Sequence, residues 1–563
     1  MKHNTLSRCQ NEEYRGSSMF LNTTTYDVEV YLQFDCTNRQ PATASVPEQY
    51  KLLESSTFTA VASHTTQTNP PWRETESTLD LYRICPSGLT SLEIGIFDPY
   101  LLSYFEAVVC SSSTLLDDQN NNPYRHLLLP MALQSVSIYH AVLAVSAQIL
   151  SISNFQYRTT ALEHSIRATQ ALSVSLRQDN HEPSGLREME ALTLILCWLD
   201  ITNSSAPSWI THLYGMQKML EYAKKLSSHP QNDSLHRFFN RYFAFHWVLA
   251  RTAFTLPQTP PLNRKSDSGT RLLTGPPDND TGSRRPSLYA WTEYLSSNLP
   301  WEDMDQIDPY MGMSGSLLLL INDIAEVFQV TVLPGDSQHG NQHQNMLRAK
   351  LSRLKKSLTS IQQIRPSVYQ ASAGNRDARA LSNISAIAEA YRLGALLFLY
   401  AVSSSKLIRM EIWRSDIEGN DEISDEDEDN NENKFSKQSD SLVDDILTLI
   451  NQEFRTMSQS AALPLWPLFL AGCFATDDSH RMSVLSIFDR LERLQRFGNI
   501  TPAREVVQCV WKQHDLGSQD DRKRRKSAFR RGEQEYEPNY AHKTHLVWEC
   551  AMKILGNCKL SLT

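Results

Sequence analysis

Helical carboxylates are the residues of this 563-residue sequence whose spacing comes closest to a catalytic pattern. Asn322-Asp323 resembles the start of a motif that holds magnesium against a diphosphate, because carboxylates one helical turn apart can bridge the metal. That motif needs a hydroxyl and then a carboxylate further along the helix, where Glu326 and Val330 stand instead. Asp444-Asp445 is followed by no further carboxylate. The sequence therefore predicts that the protein is not an enzyme, with no catalytic residue.

Other catalytic and cofactor motifs are missing from the sequence. No His pair with the spacing of a zinc protease, no phosphate-binding loop and no dinucleotide-binding loop occurs. Gly312-Met313-Ser314-Gly315 is the nearest match to a nucleophile elbow and lacks its spacing. The nine cysteines are scattered, and none lies at the close spacing of a structural zinc site. We expect no metal ligands and no cofactor in this chain, and thiols that stay reduced inside the cell.

A compact basic run lies near the C-terminus, at Arg522, Lys523, Arg524, Arg525 and Lys526. Such a run in a polar loop is typical of a nuclear-import signal or a contact with an anionic polymer. A solvated loop flanked by acidic residues is the alternative. The import interpretation is slightly favoured and places the protein in the nucleus.

An acidic low-complexity segment accounts for the net charge of −9. Ten acidic and no basic residues lie between Asp416 and Glu432, so the rest of the chain is nearly neutral. A solvated, disordered insertion is the favoured interpretation, and recruitment of basic partners is the alternative. Ser424 precedes acidic residues and Ser287 follows Arg284-Arg285-Pro286, so each is a candidate phosphorylation site.

The elements that would position these residues are helices. From about residue 97 the apolar residues recur at three and four residue steps, as at Tyr100, Leu101, Tyr104, Phe105 and Val108. Helix follows helix without alternating strands, so the sequence predicts an all-α fold. The stretch between Arg125 and Arg158 has no charged residue. Its prolines, glutamines and serines favour a buried soluble helix over a membrane span, and we expect no membrane partner.

Polar segments interrupt the predicted helical domain, which extends over residues 97–556. Residues 1–96 are rich in Ser, Thr, Asn and Gln, and we expect them to be mostly disordered, apart from one alternating run at 27–34 that indicates a strand. Loops or insertions are predicted at about 257–300, 335–345, 416–440 and 515–540.

Large aromatic residues along these helices are predicted to anchor helix packing rather than to form a ligand cage. They are Trp198, Trp209, Trp247, Trp301, Trp466 and Trp511. His212 and His246 receive the same interpretation, as core or surface residues. No ligand-binding residue is predicted.

Several segments resemble one family when they are taken together and in order. They include a W-x-x-H-L-x-G element from Trp209 to Gly215 and a strongly similar apolar stretch from Leu465 to Cys473. The segments lie at 97–100, 122–133, 142–147, 192–197, 209–216, 307–312, 391–400, 465–473 and 548–556. Their order and coverage resemble the fungal-specific transcription factor regulatory domain, which usually follows a binuclear zinc cluster.

The resemblance implies an all-helical regulatory domain of a nuclear transcription regulator. In this family the domain is thought to mediate regulation and dimerisation and, in some members, ligand sensing. The implied partners are the transcription machinery or a zinc-cluster protein, with a homodimer as a further possibility. The alternative function is a helical scaffold or small-molecule-binding protein that does not regulate genes directly.

The sequence departs from the family at its N-terminus. The DNA-reading module of the family has six cysteines beginning C-x2-C-x6-C, whereas residues 1–96 contain Cys9, Cys36 and Cys85 alone. Three distant thiols cannot hold two zinc ions. We expect direct DNA binding, and zinc as a cofactor, only if an N-terminal cluster is missing from the gene model. Otherwise the chain acts through a partner.

Overall fold

A computed structural model gives the structure of the chain. Its described residues lie in one compact unit, Thr75–Thr563. They are residues 95, 97–115, 117, 122–177, 183–203, 207–226, 234–256, 290–298, 304–332, 340–366, 375–403, 426–457, 464–494, 498–531 and 546–563. The strand predicted at 27–34 and the disorder predicted before residue 95 lie outside the described residues.

The described part of the chain confirms the predicted all-α class, because 82% of it is helical and it contains no strand. In chain order the helices are α1 (Asp98–Tyr104), α2 (Cys110–Ser112), α3 (Leu129–Ala132), α4 (Val136–Ser153), α5 (Tyr157–Leu176), α6 (Pro183–Thr202), α7 (Ser208–Leu226), α8 (Ser234–Ala253), α9 (Ala290–Asn298), α10 (Gly315–Val332), α11 (Gly340–Ser360), α12 (Asn375–Ser403), α13 (Glu426–Met457), α14 (Leu465–Phe474), α15 (Asp478–Arg493), α16 (Ile500–Arg531) and α17 (Val547–Ile554). Two π-helical turns, Phe105–Val109 and Tyr124–Leu128, precede α2 and α3.

Local chemistry sets several helix starts. The Ser135 hydroxyl accepts a hydrogen bond from the Ile138 backbone N–H and caps α4, and the Asp477 carboxylate caps α15 through His480 N–H. Pro183 begins α6, where a missing N–H costs nothing because the first turn has no intrahelical acceptor for it. Neighbouring helices then pack in sequence, α4 on α5 and α6, and α6 on α7.

The charge-free stretch forms α4, and eleven of its eighteen residues are buried. Two helices are long and apolar enough to cross a bilayer, Val136–Ser153 and the Ile384–Ser403 part of α12. Inside the protein, 61% of the first segment and 72% of the second are buried. Core helices of soluble proteins pass the same test, so length and composition are weak support for a span.

Tryptophans join distant parts of the domain, as predicted for the packing anchors. The Trp466 indole N–H donates to the Thr252 hydroxyl (2.8 Å), and the Trp209 N–H donates to the Lys559 carbonyl near the C-terminus (2.8 Å). Trp198, Trp247 and Trp511 are also buried. Trp301 lies outside the described residues.

Helices extend further into the predicted interruptions than expected. Helix α9 lies within 257–300, α11 begins within 335–345, α13 begins at Glu426 and α16 continues to Arg531. The segments 416–440 and 515–540 are thus helical over much of their length rather than loops. Polarity alone does not end a helix, because Glu, Lys, Arg and Gln have high helix propensity.

We predict that Gly394→Ala destabilises the domain by about 1–3 kcal/mol, because it overpacks the contact between α12 and α14. A Cβ at Gly394 meets Trp466 Cζ3 at 3.1 Å and the Pro467 Cα at 3.2 Å, and the Pro467 backbone cannot rotate away. Urea unfolding of the full chain measures the change.

Gly185→Ala is the matched control for this substitution. It lies in the first turn of α6, and a Cβ there meets no atom within 4 Å. Alanine has the higher helix propensity, so the control is expected to be neutral or to stabilise by up to about 1 kcal/mol. Equal unfolding free energies for the two variants would contradict the close approach at Gly394.

Candidate functional site

A cavity of about 630 Å³ lies between α5, α6 and α7. Each helix contributes one face to it at helical spacing: Leu172 and Leu176 from α5, and Leu186, Met189 and Thr193 from α6. Helix α7 contributes Thr211, His212, Gly215, Lys218, Met219 and Tyr222. The cavity is therefore a product of three consecutive helices packing along their faces.

The inner wall of this cavity is apolar. Leu172, Leu186, Met189 and Met219 are each at most 8% exposed. The Thr193 hydroxyl donates to the Met189 carbonyl within α6 (2.7 Å), so its polar atom is satisfied internally. Methionine side chains are flexible and fill irregular space. The wall thus offers apolar contact that can adapt to its contents.

Gly215 keeps the α7 side of the cavity open. A Cβ placed there meets a single atom within 4 Å, Thr193 Cγ2 at 3.8 Å, which is an ordinary contact. A larger side chain at Gly215 would extend into the space that the helices leave between them. Glycine within a helix is less stabilising than alanine, so the open space at Gly215 comes with a lower stability of α7.

The charged residues at the rim are paired within the chain. His212 Nε2 lies 3.3 Å from an Asp200 oxygen, and Lys218 Nζ lies 3.1 Å from a Glu221 oxygen. Lys218 and Leu176 are exposed and mark the mouth of the cavity. Both basic side chains of the rim therefore already face a carboxylate of the chain.

A second cavity of about 400 Å³ is polar. It joins the ends of α4, α5 and α6 to α15 and α16, and its lining includes Gln148, Arg158, Asn203 and Glu492. Glu492 already accepts from Arg504 (2.6 Å) and from the Thr501 hydroxyl (3.0 Å). Its carboxylate is committed to contacts that join α15 to α16.

The carboxylates that resembled a metal motif belong to a buried ionic network instead. Lys350 Nζ lies 3.1 Å from Asp323 and 3.7 Å from Glu326. Glu326 also accepts hydrogen bonds from the backbone N–H groups of Trp291 (2.9 Å) and Thr292 (3.2 Å), which begin α9. Burial raises the pKa of Glu326, and the cations of Arg251 and Lys350 oppose that shift.

Arg251 supplies the second cation of this network from α8. Its side chain is fully buried and donates to the Asn322 amide oxygen and to Gln329 Oε1 (3.0 Å) on α10. Its guanidinium also lies over the Trp291 ring, 5.6 Å from the centroid. Burial lowers the pKa of Arg251 to about 10. Protein cations therefore occupy the role that a metal would have had, and the described residues contain no group of three or more metal-ligating side chains.

Buried histidines form three further polar contacts between helices. The Nδ1 atoms of His140 on α4 and His164 on α5 are 2.9 Å apart, and His164 Nε2 lies 3.3 Å from Asp98 on α1. His236 on α8 lies 3.1 Å from Glu190 on α6. These contacts join helices inside the core, away from the apolar cavity.

His212 and His246 lie at the surface and in the core of the domain, as the sequence predicts. His212 is half-buried against Asp200, whereas His246 is buried and stacks on Tyr242 with 4.0 Å between ring centroids. The Nδ1–H of the neutral His246 ring donates a hydrogen bond to the Tyr242 carbonyl oxygen (2.9 Å). Burial lowers the pKa of His246 to about 4.

The thiols of the core are poor nucleophiles. Burial raises the pKa of Cys110, Cys197 and Cys473 above the ordinary range, so each stays protonated at neutral pH. The cysteines of the described part are free rather than disulfide-bonded.

No residue of the predicted basic run is among the described residues that line the two cavities. Ser287 and Ser424 lie outside the described residues, and their phosphorylation stays a prediction. The basic run Arg522–Lys526 lies in the last part of α16, a helix, where a loop was predicted. Nuclear import through this run stays a prediction.

The apolar cavity was not predicted from the sequence. Its signal was the glycine at the end of the W-x-x-H-L-x-G element, where a helix-weakening residue falls inside a helix. The two other walls come from helices whose lateral arrangement no periodicity reveals.

Comparison with known proteins gives one match. A family model described as the fungal specific transcription factor domain matches residues 100–552. No curated protein and no solved structure matches the chain.

We predict that His246 makes the domain less stable as the pH falls below neutrality. Its pKa is lower in the folded state than in the unfolded chain, so unfolding binds a proton between about pH 6.5 and pH 4. The free energy of unfolding then falls by about 1.4 kcal/mol per pH unit across that window. Above about pH 6.5 this histidine has no effect on the pH dependence.

His246→Phe removes the titrating group and keeps an aromatic ring for the stack on Tyr242. Urea unfolding at pH 7 and at pH 5 should show a loss of stability for the original chain that exceeds the loss for the variant by about 2 kcal/mol. The same loss in both proteins would mean that His246 is not the buried titrating group.

Proposed function

The chain belongs to the fungal-specific transcription factor domain family, and from this membership we propose that it is a nuclear transcription regulator of the zinc-cluster type that acts through its helical domain. The observation that carries the proposal is the extent of the match. It covers residues 100–552, which includes every described helix except the first residues of α1 and the last residues of α17.

The architecture supports regulation rather than catalysis. The family is in general non-enzymatic. In the described part, the buried carboxylate of Glu326 faces Lys350 and accepts two backbone N–H groups, and burial keeps the Cys473 thiol protonated. Such a domain has surfaces and cavities for binding, and gene control would pass through a bound partner or small molecule.

The proposed partners are the transcription machinery, a zinc-cluster protein that reads DNA, or a second copy of this chain. Residues 1–96 hold three cysteines, which cannot form the six-cysteine cluster of the family. DNA recognition would therefore come from a partner or from a cluster outside the printed sequence, and zinc would be a cofactor in the latter case alone. The alternative remains a helical scaffold or small-molecule-binding protein.

We predict that the full chain alters transcription when it is tethered to a promoter. Fused to a heterologous DNA-binding domain, it should raise or lower a reporter gene several-fold relative to that DNA-binding domain alone. The reporter transcript is the readout, so activation and repression are both detected. A fusion that is expressed and bound to the promoter without changing the transcript would favour the scaffold alternative.

A second prediction concerns nuclear import. Arg524→Ala with Arg525→Ala should reduce nuclear accumulation of the fluorescently tagged chain, because the compact run loses two of its five cations. Arg530→Ala with Arg531→Ala is the matched control, since it removes the same charge from the same helix outside the run. An equal nuclear fraction for the original chain and both variants would show that import does not use residues 522–526.

A further inference from the structure

The cavity between α5, α6 and α7 has the size of a ligand site. Its volume of about 630 Å³ lies inside the range of roughly 300–1,000 Å³ that holds drug-sized molecules. It is larger than the polar cavity at the ends of α4, α5 and α6, which is about 400 Å³. We propose that this cavity binds an uncharged, mainly apolar small molecule.

The apolar character of the molecule follows from the wall. Leucine and methionine side chains from three helices face the space, and the one buried hydroxyl, that of Thr193, donates back to its own helix. A ligand therefore meets few unsatisfied donors or acceptors at depth. Transfer of its apolar surface from water to this wall is favourable by roughly 25 cal/mol for each Å² buried.

The lack of charge follows from the rim. Lys218 forms an ion pair with Glu221, and His212 lies beside Asp200, so both side chains already face a carboxylate of the chain. An anionic ligand would have to compete with a carboxylate for Lys218, and it would also lose hydration on entering an apolar space. A neutral molecule meets neither cost.

Gly215, Met189 and Met219 allow the cavity to accept ligands of different shape. Gly215 leaves one position of the α7 wall without a side chain, and the Met189 and Met219 side chains are flexible. The arrangement differs from the rest of the core, where Cβ atoms at Gly394 and Gly472 would meet neighbours at 3.2 Å or less. The space beside Gly215 therefore contrasts with the close packing at Gly394 and Gly472, as expected of a binding site.

The test uses two fluorescent probes that share one apolar frame. N-phenyl-1-naphthylamine is neutral, and 1-anilinonaphthalene-8-sulfonate is the same molecule with a sulfonate. Titrated into the purified full chain at neutral pH, the neutral probe should bind saturably at one site. The sulfonate should bind at least about tenfold more weakly.

Substitutions at the glycine locate the site. Gly215→Leu places a side chain in the cavity and should raise the Kd of the neutral probe by about tenfold or more. Gly215→Ala adds a single methyl group at an ordinary contact distance and should leave the Kd within about twofold. Circular dichroism and urea unfolding establish that each variant is folded.

A second pair of variants keeps the test valid if Gly215→Leu fails to fold. Leu176 and Val174 are both exposed on α5, at 54% and 59%, and Leu176 alone of the two lines the cavity. Leu176→Asp should weaken the neutral probe several-fold because it places a charge at the apolar mouth, whereas Val174→Asp should not.

Three results would overturn the proposal. They are a neutral probe that does not bind saturably, equal affinity in all four variants, and a sulfonate that binds as tightly as the neutral probe. Binding of the probe is independent of gene regulation. A chain that binds the probe and leaves a tethered reporter unchanged would retain this inference while the proposed function fails.

Discussion

The buried guanidinium of Arg251 constrains how α8 packs against α9 and α10. A charge removed from water is tolerated only when hydrogen bonds and opposite charge surround it. Here the partners come from other helices. The side-chain oxygens of Asn322 and Gln329 on α10 accept hydrogen bonds from the guanidinium. The Glu326 carboxylate on the same helix supplies negative charge to Arg251 and to Lys350 of α11. Glu326 also accepts the first N–H groups of α9. Arg251, Lys350 and Glu326 together therefore join four helices, α8, α9, α10 and α11, through directional contacts.

The apolar cavity contrasts with this tightly specified region. The Arg251 guanidinium and the Glu326 carboxylate have defined hydrogen-bond partners, whereas the wall of the cavity is formed by leucine and methionine side chains that specify no single arrangement. The two regions share α6 as a neighbour, since α6 packs on both α7 and α8. A ligand that changed the spacing of α6 and α7 would act on a helix that also contacts the rigid part of the core. This contact gives a physical route from the cavity to the rest of the domain.

Charged segments emerge from the ends of long helices rather than from loops. Helix α13 begins inside the acidic segment, and α16 ends just after the basic run. The apolar residues of both helices pack at one end, as Val443, Ile446 and Ile450 do in α13. The high helix propensity of Glu, Lys, Arg and Gln favours continuation of the helical backbone through these polar segments. The described part of the acidic segment, from Glu426, and the basic run are thus backbone continuations of helices that also pack in the core.

The sequence by itself determined the all-α class, the packing role of Trp209 and Trp466, and the family, because periodicity, large aromatic residues and ordered motifs are local features of a chain. The spacing after Asn322-Asp323 also argued against a metal-diphosphate site there. The tertiary structure alone decided that Lys350 and Arg251 neutralise these carboxylates, since the contacts join residues on separate helices. It likewise decided where the cavity lies. A cavity depends on the lateral spacing of α5, α6 and α7. The helical periodicity of a sequence shows which face of a helix is apolar, but it does not determine the distance to the neighbouring helix.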